Sequence, residues 1–143
     1  MRLPRCSPGQ FATGPPRGII PAVTRKKIGL TAFFVYGTLK PEGLYWPHVA
    51  ALVAYWEPGQ VQGKLYDTGL GYPAAIFGED GTIDGILLFV IDAKVAQITA
   101  IMDEIEEEGR AYRRVEVATL DGQEAVAYEW MLGTEMLTPI EQF

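Results

Sequence analysis

Phe33-Phe34-Val35-Tyr36-Gly37-Thr38-Leu39-Lys40 is a short apolar, β-branched and aromatic run that stops abruptly at Tyr-Gly-Thr. The composition up to Tyr36 is that of a strand buried on both faces, with no acidic residue close by. A buried strand that ends in glycine and threonine leaves several backbone N–H groups free at its tip. Such a concave set of donors holds an anion, a carboxylate for example, without a charged side chain. Gly37 can also be read more plainly, as a glycine supplying a positive φ, and Tyr36 as core filling.

Working outward, the pattern is mostly strands. Thr31–Tyr36 reads as the first, and Val61–Tyr66 and Ala74–Phe77 as the next two. Thr82–Val90 follows a Glu79-Asp80-Gly81 turn and is long and apolar. Then the period changes. Asp92 is placed to cap a helix in which Val95, Ile98, Ile101, Met102 and Ile105 recur at helical spacing until Gly109. Tyr112–Leu120 and Glu124–Trp130 flank Asp121-Gly122 as a final hairpin. Many strands with one convincing helix predict an α+β domain whose sheet curls into a small mixed β-barrel with packed helices.

Residues 1–30 stand apart. They carry six Arg or Lys and no acid, and Pro4, Pro8, Pro15, Pro16 and Pro21 interrupt any helix or central strand. They are expected to form a flexible basic Pro/Gly-rich arm, with residues 31–143 as the domain. That domain carries six bases against eighteen acids, a net of −12. So acidic a body repels phosphate backbones, and no nucleic-acid partner is expected. No apolar run approaches the roughly 18 residues of a membrane span, so no membrane partner is expected. With 143 residues there is room for one core. The single cysteine, Cys6, rules out an intrachain disulfide and fits a reducing cytoplasm. Lone Cys6 and lone His48 leave no soft-ligand cluster for a structural metal. They also leave no Ser-His-Asp set, and no dinucleotide or phosphate-loop fingerprint is present.

The acid-rich segment Asp103–Glu108 needs sorting by helix phase. Asp103, Glu104 and Glu107 fall more than about 120° from the centre of the apolar stripe, which predicts that Asp103→Asn is silent. Glu106 falls roughly 75° from that centre, one turn after Met102. It is the acid best placed to point inward, where partial burial would raise its pKa towards the range useful for proton transfer. Tyr66, Tyr72, Tyr112 and Tyr128 read chiefly as core or sheet-face aromatics. Phe33-Phe34 and Trp130–Phe143 are candidates for a subunit interface, in a monomer or homodimer.

In order along the chain, these pieces resemble the gamma-glutamylcyclotransferase-like family, and within it the gamma-glutamylamine cyclotransferase branch. The resemblance rests on Val35-Tyr36-Gly37-Thr38-Leu39-Lys40, Val61-Gln62-Gly63-Lys64-Leu65-Tyr66 and Gly71-Tyr72-Pro73-Ala74. It continues through Asp84-Gly85-Ile86-Leu87, Met102-Asp103-Glu104-Ile105-Glu106 and Tyr112-Arg113-Arg114-Val115. It implies a cavity at one end of a mixed barrel, with no cofactor and no metal. It also implies that the backbone of Tyr36, Gly37, Thr38 and Leu39, together with Tyr112, binds a small γ-glutamyl substrate. Glu106 would be the acid–base residue. The reaction implied is cyclisation of a γ-glutamyl amide to 5-oxoproline with release of the amine. Other readings are a non-catalytic binder of γ-glutamyl metabolites, a metal-free amidohydrolase, and an interaction protein whose basic arm recruits a partner.

Overall fold

The computed structural model describes residues 28–141 and 143. Most of the expected arm, residues 1–27 with Cys6, lies outside the described residues. Six strands and one α-helix follow in chain order. They are β1 (Leu30–Val35), β2 (Tyr55–Asp67), β3 (Pro73–Ile91), α1 (Val95–Glu106), β4 (Tyr112–Ala118), β5 (Glu124–Trp130) and β6 (Thr138–Ile140). They form a single sheet in the order β4-β5-β1-β3-β2-β6. Only the β1–β5 pair is parallel.

β1 lies inside this sheet and is buried on both faces, as its near-continuous apolar sequence requires. Phe33 and Val35 face a core that includes Leu88, Val90, Ile98, Met102 and Trp130. Ala32, Phe34 and Tyr36 face a second core with Leu65, Ile83, Leu87 and Phe89. The period-2 pleat thus feeds both layers from one six-residue strand. Phe33 and Phe34 are each 1% exposed, so neither is available for the subunit interface that the sequence suggested.

The expected barrel does not form. The sheet ends in two edges, β4 and β6, that no ladder joins. Closure needs continuous pairing around the whole ring. After Ala118 the chain turns into the Asp121-Gly122 hairpin, so Leu120 alone reaches across, its N–H donating to Gln60 O at 2.9 Å. Among the described residues there is one α-helix, joined by short 3-10 turns at Trp46–His48, Ala50–Leu52 and Asp92–Lys94.

Several boundaries also move. β2 begins six residues before the expected Val61 and runs through Pro58 and Gly59, residue types that ordinarily interrupt a strand. Its partner overrides them, pairing Tyr55 with Phe89 through Gln60 with Asp84. Pro58 is tolerated because β6 covers the other side of β2 only at Leu65–Asp67, leaving no acceptor deprived of an N–H there. The two strands expected at Ala74–Phe77 and Thr82–Val90 are one strand of 19 residues. The Glu-Asp-Gly turn survives as a bulge, because Gln62 pairs with Thr82 while Gly63 pairs with Phe77. Gly78 and Gly81, at φ +88° and +124°, let residues 78–81 loop out. The freed Phe77 N–H donates to Glu129 Oε2 at 2.9 Å, and Arg113 holds Glu129 Oε1 at 2.7 and 3.0 Å. Asp92 caps no helix; its Oδ1 accepts from Thr31 Oγ1 at 3.0 Å. β6 escapes a sequence reading because three residues around Pro139 carry no pattern.

Gly85 sets the end of β1. A Cβ there would lie 2.5 Å from Val35 O and 2.7 Å from Phe34 Cζ. Gly85→Ala is therefore expected to destabilise the domain by on the order of 2 kcal/mol. Equilibrium denaturation measures it, and an unchanged midpoint would contradict the tight packing at this position.

Candidate active site

A small cleft, partly open to solvent, lies where β1 ends. Its walls bring together all six residues picked out from the sequence: Tyr36, Gly37, Thr38, Leu39, Glu106 and Tyr112. Tyr72, Pro73 and Tyr128 complete it, with Phe34 and Val35.

The turn after β1 is built by its own carbonyls. Gly37 O accepts from Lys40 N at 3.1 Å, and Thr38 O accepts from Tyr45 N at 2.9 Å. With those carbonyls engaged in the loop, the N–H groups of Gly37, Thr38 and Leu39 donate to no protein acceptor among the described residues. Three successive unpaired donors lining a cleft can hold an anion. The side chains serve as anchors instead. Leu39 is buried in the helix-side core, and the buried Tyr36 donates its hydroxyl to Tyr128 O. Gly37 does not take a positive φ, so the plain reading of it is corrected. Glycine is needed there for room, since a Cβ would sit 2.9 Å from Pro73 Cδ.

Glu106 is the last residue of α1, three residues before the glycine expected to end the helix. Glu107 adopts the left-handed conformation, φ 52° and ψ 54°. Glu107 N–H then donates to Glu104 O and Glu108 N–H to Asp103 O, the paired bonds of a Schellman closure. A non-glycine residue in this conformation costs on the order of 1 kcal/mol. The closure stops the helix where Glu106 meets the cleft. Burial of its carboxyl raises the pKa from 4.5 to about 7. Tyr112 stands close by, donating its hydroxyl to Pro73 O at 2.5 Å. Burial first, then the Glu106 carboxylate and Tyr72, push the Tyr112 phenol far above its ordinary value.

Asp103 corrects the helix-phase reading. It does not sit on a solvated face: its Oδ1 accepts from Tyr128 Oη at 2.5 Å and its Oδ2 pairs with Arg114. Tyr128 and Arg114 oppose each other across β5 and β4, so their side chains share a face and converge on one carboxylate. Helix phase cannot see this, because a sheet packs beside the stripe as well as beneath it. Burial, then the bond to Asp103, push the Tyr128 phenol far up. Tyr128 carried no signal in the sequence, whereas Tyr72 and Pro73 stood in one of the motif pieces. His48 lies outside the cleft, in the loop after the turn, against Tyr45. Among the described residues, no group of three or more His, Cys, Asp or Glu is placed to hold a metal. No helix among them is long and apolar enough to cross a membrane.

Residues 33–142 match the model of one protein family, described as gamma-glutamyl cyclotransferase, AIG2-like. The chain belongs to that family. Membership supports a cyclotransferase-type enzyme in general. No curated protein sequence matches the chain. Among solved structures, an AIG2-like protein from Mus musculus is similar at 20% identity and TM-score 0.64. The likeness covers 80% of this chain and 88% of that one. An uncharacterized protein from Pyrococcus horikoshii is similar at 25% identity and TM-score 0.59, over 78% and 86% of the two chains. A Kluyveromyces lactis allophanate hydrolase shares the fold at 13% identity and TM-score 0.62. There the likeness spans 79% of this chain and 20% of the larger protein.

Two predictions follow from the geometry. Asp103→Asn weakens the bond to Tyr128 and the pair with Arg114, and is expected to cost about 1–2 kcal/mol in a denaturant titration. No change would return Asp103 to the solvated face. Glu106 in the folded state holds its proton to about pH 7, against 4.5 in the unfolded chain. The neutral acid therefore suits the fold below pH 4.5, and that advantage is lost as pH rises to 7. Glu106→Gln is expected to be on the order of 2 kcal/mol more stable than wild type at pH 8 and about equal at pH 4.5. Thermal unfolding at the two pH values checks the sign.

Proposed function

We propose that this protein cyclises a γ-glutamyl amide to 5-oxoproline and releases the free amine. One observation carries the reading: a carboxyl with a pKa of about 7 lines the same small cleft as three unpaired backbone N–H groups.

A γ-glutamyl amide carries a free α-carboxylate, a free α-ammonium and a side-chain carbonyl joined to an amine. The carboxylate would accept hydrogen bonds from the N–H groups of Gly37, Thr38 and Leu39. Anchoring it there folds the substrate so that its α-nitrogen approaches its own γ-carbon, an arrangement that supplies much of the catalysis. Glu106 as carboxylate takes a proton from the ammonium, and the amine attacks the γ-carbonyl. When the tetrahedral intermediate collapses, the bond to the departing nitrogen breaks and Glu106 returns the proton to it. The ring nitrogen gives up its second proton as the lactam forms, and the released amine takes it up to leave as an ammonium. One C–N bond forms and one breaks, and no water is consumed. A carboxyl near pKa 7 suits both roles at neutral pH, since each proton transfer is nearly balanced. Tyr112, part of the cleft lining and locked by Pro73 O, shapes the pocket around the reacting carbons.

The test is release of 5-oxoproline, followed by mass spectrometry, from γ-glutamyl-ε-lysine, γ-glutamyl-alanine and glutathione. Wild type is expected to form it from at least one. Glu106→Gln is expected to lose about 10²–10⁴-fold in kcat while still binding a non-cyclising analogue. The acid limb of wild-type kcat/KM should fall near pH 7. Near-normal turnover by Glu106→Gln would sink the assignment, and isotope from labelled water in the product would mean hydrolysis instead.

A further inference from the structure

Four phenols line the cleft, and three of them are committed to protein acceptors. Tyr36 donates to Tyr128 O, Tyr112 to Pro73 O and Tyr128 to Asp103. Tyr72 is the exception: among the described residues its hydroxyl has no protein partner. It is also the most accessible of the four, part-buried where the others are buried. Its position is nonetheless fixed. It sits in the β2–β3 connection, where Thr68 Oγ1 donates to Tyr72 O at 2.6 Å and Leu70 N donates back to Thr68 Oγ1 at 3.2 Å. Asp67 Oδ1 accepts from Gly69 N at 2.8 Å in the same loop. Its ring stands 6.3 Å from that of Tyr112, tilted by 55°. The next residue, Pro73, packs on Gly37, so the loop is seated against the anion-holding turn.

We infer that Tyr72 is a specificity-determining residue whose hydroxyl donates a hydrogen bond to the amine half of the substrate. The inference rests on the cyclotransferase reading. In that reading the glutamyl half is spoken for, its carboxylate at the Gly37–Leu39 turn and its reacting atoms at Glu106. The half left to extend out of the cleft is the amine, and the most accessible phenol of the lining meets it. A phenol offers an apolar ring to an alkyl chain and one donor to an acceptor beyond it. The favoured substrate class is therefore a γ-glutamyl amide whose amine bears a hydrogen-bond acceptor close to the nitrogen, such as a carboxylate. A hydrogen bond to a charged acceptor is worth about tenfold in binding or more.

Two substrates that differ only in that acceptor give the test: γ-glutamyl-alanine, and γ-glutamyl-isopropylamide, in which a methyl replaces the carboxylate. Tyr72→Phe keeps the ring and removes the donor. It is expected to raise KM for γ-glutamyl-alanine about tenfold, leave kcat within about twofold, and leave both constants for the isopropylamide unchanged. Equal effects on the two substrates, or none on either, would overturn the role in amine selection. A fall in kcat on both alike would overturn it too, by moving the hydroxyl to the reacting carbonyl. If wild type forms no 5-oxoproline from either, the cyclotransferase reading fails and the role of Tyr72 falls with it. If wild type is active and the variant's profile is unchanged, only the role of Tyr72 falls.

Discussion

The close approach of Gly37 to Pro73 is the constraint on which the cleft depends. At that point the tip of β1 meets the start of β3, with no room for even one methyl group between them. The Pro73 ring packs on Gly37 while its carbonyl oxygen accepts the Tyr112 hydroxyl from the start of β4. Gly37 and Pro73 therefore join the turn after β1, the start of β4 and the Tyr72 loop into a single wall. In the turn itself the carbonyls of Gly37 and Thr38 are occupied in the loop, while the N–H groups of Gly37, Thr38 and Leu39 have no protein acceptor among the described residues.

The opposite wall is a helix end. α1 stops at Glu106 because Glu107 takes a left-handed conformation and closes the last turn. That closure carries a modest conformational cost, and it puts the carboxyl at the boundary between core and cleft. Water is scarce enough there to raise its pKa to about 7, a shift caused by burial with no neighbouring charge required. Asp103, one turn earlier, ties the same helix end to Tyr128 and Arg114 on the sheet. Tyr128 in turn accepts the Tyr36 hydroxyl at its carbonyl, so the helix end and the tip of β1 are joined through one residue of β5.

An open sheet is enough to support this arrangement. The cleft is lined from the end of β1, the start of β3, the end of α1, the first residue of β4 and Tyr128 of β5. No ladder between β4 and β6 is needed to bring them together. Local gaps in the pairing accommodate two irregularities of the inner strands. Pro58 is harmless where no neighbour needs its N–H. The long β3 takes four extra residues as a bulge, and Glu129 satisfies the backbone group that the bulge frees.

Local chemistry was enough to determine the elements that repeat a clear pattern. The buried β1, the helical stripe from Val95 to Ile105 and the final hairpin could be read from periodicity, because each side chain's burial there follows from its own position in the element. The candidate site was legible for a related reason. Glycine and threonine after a buried strand, and one acid on the border of an apolar stripe, are local departures from pattern. The tertiary structure alone decided what depends on a partner from elsewhere in the chain. It extended β2 across Pro58, because β3 supplied the ladder. It left the sheet open, because pairing stops at Ala118. It turned Asp103 from a solvated acid into the anchor of Tyr128 and Arg114, since both come from strands more than ten residues away. It also assigned Gly37 its reason for being glycine, the distant Pro73 rather than its own backbone angle. Sequence fixes what each residue can do alone, and contacts between distant segments fix what it does.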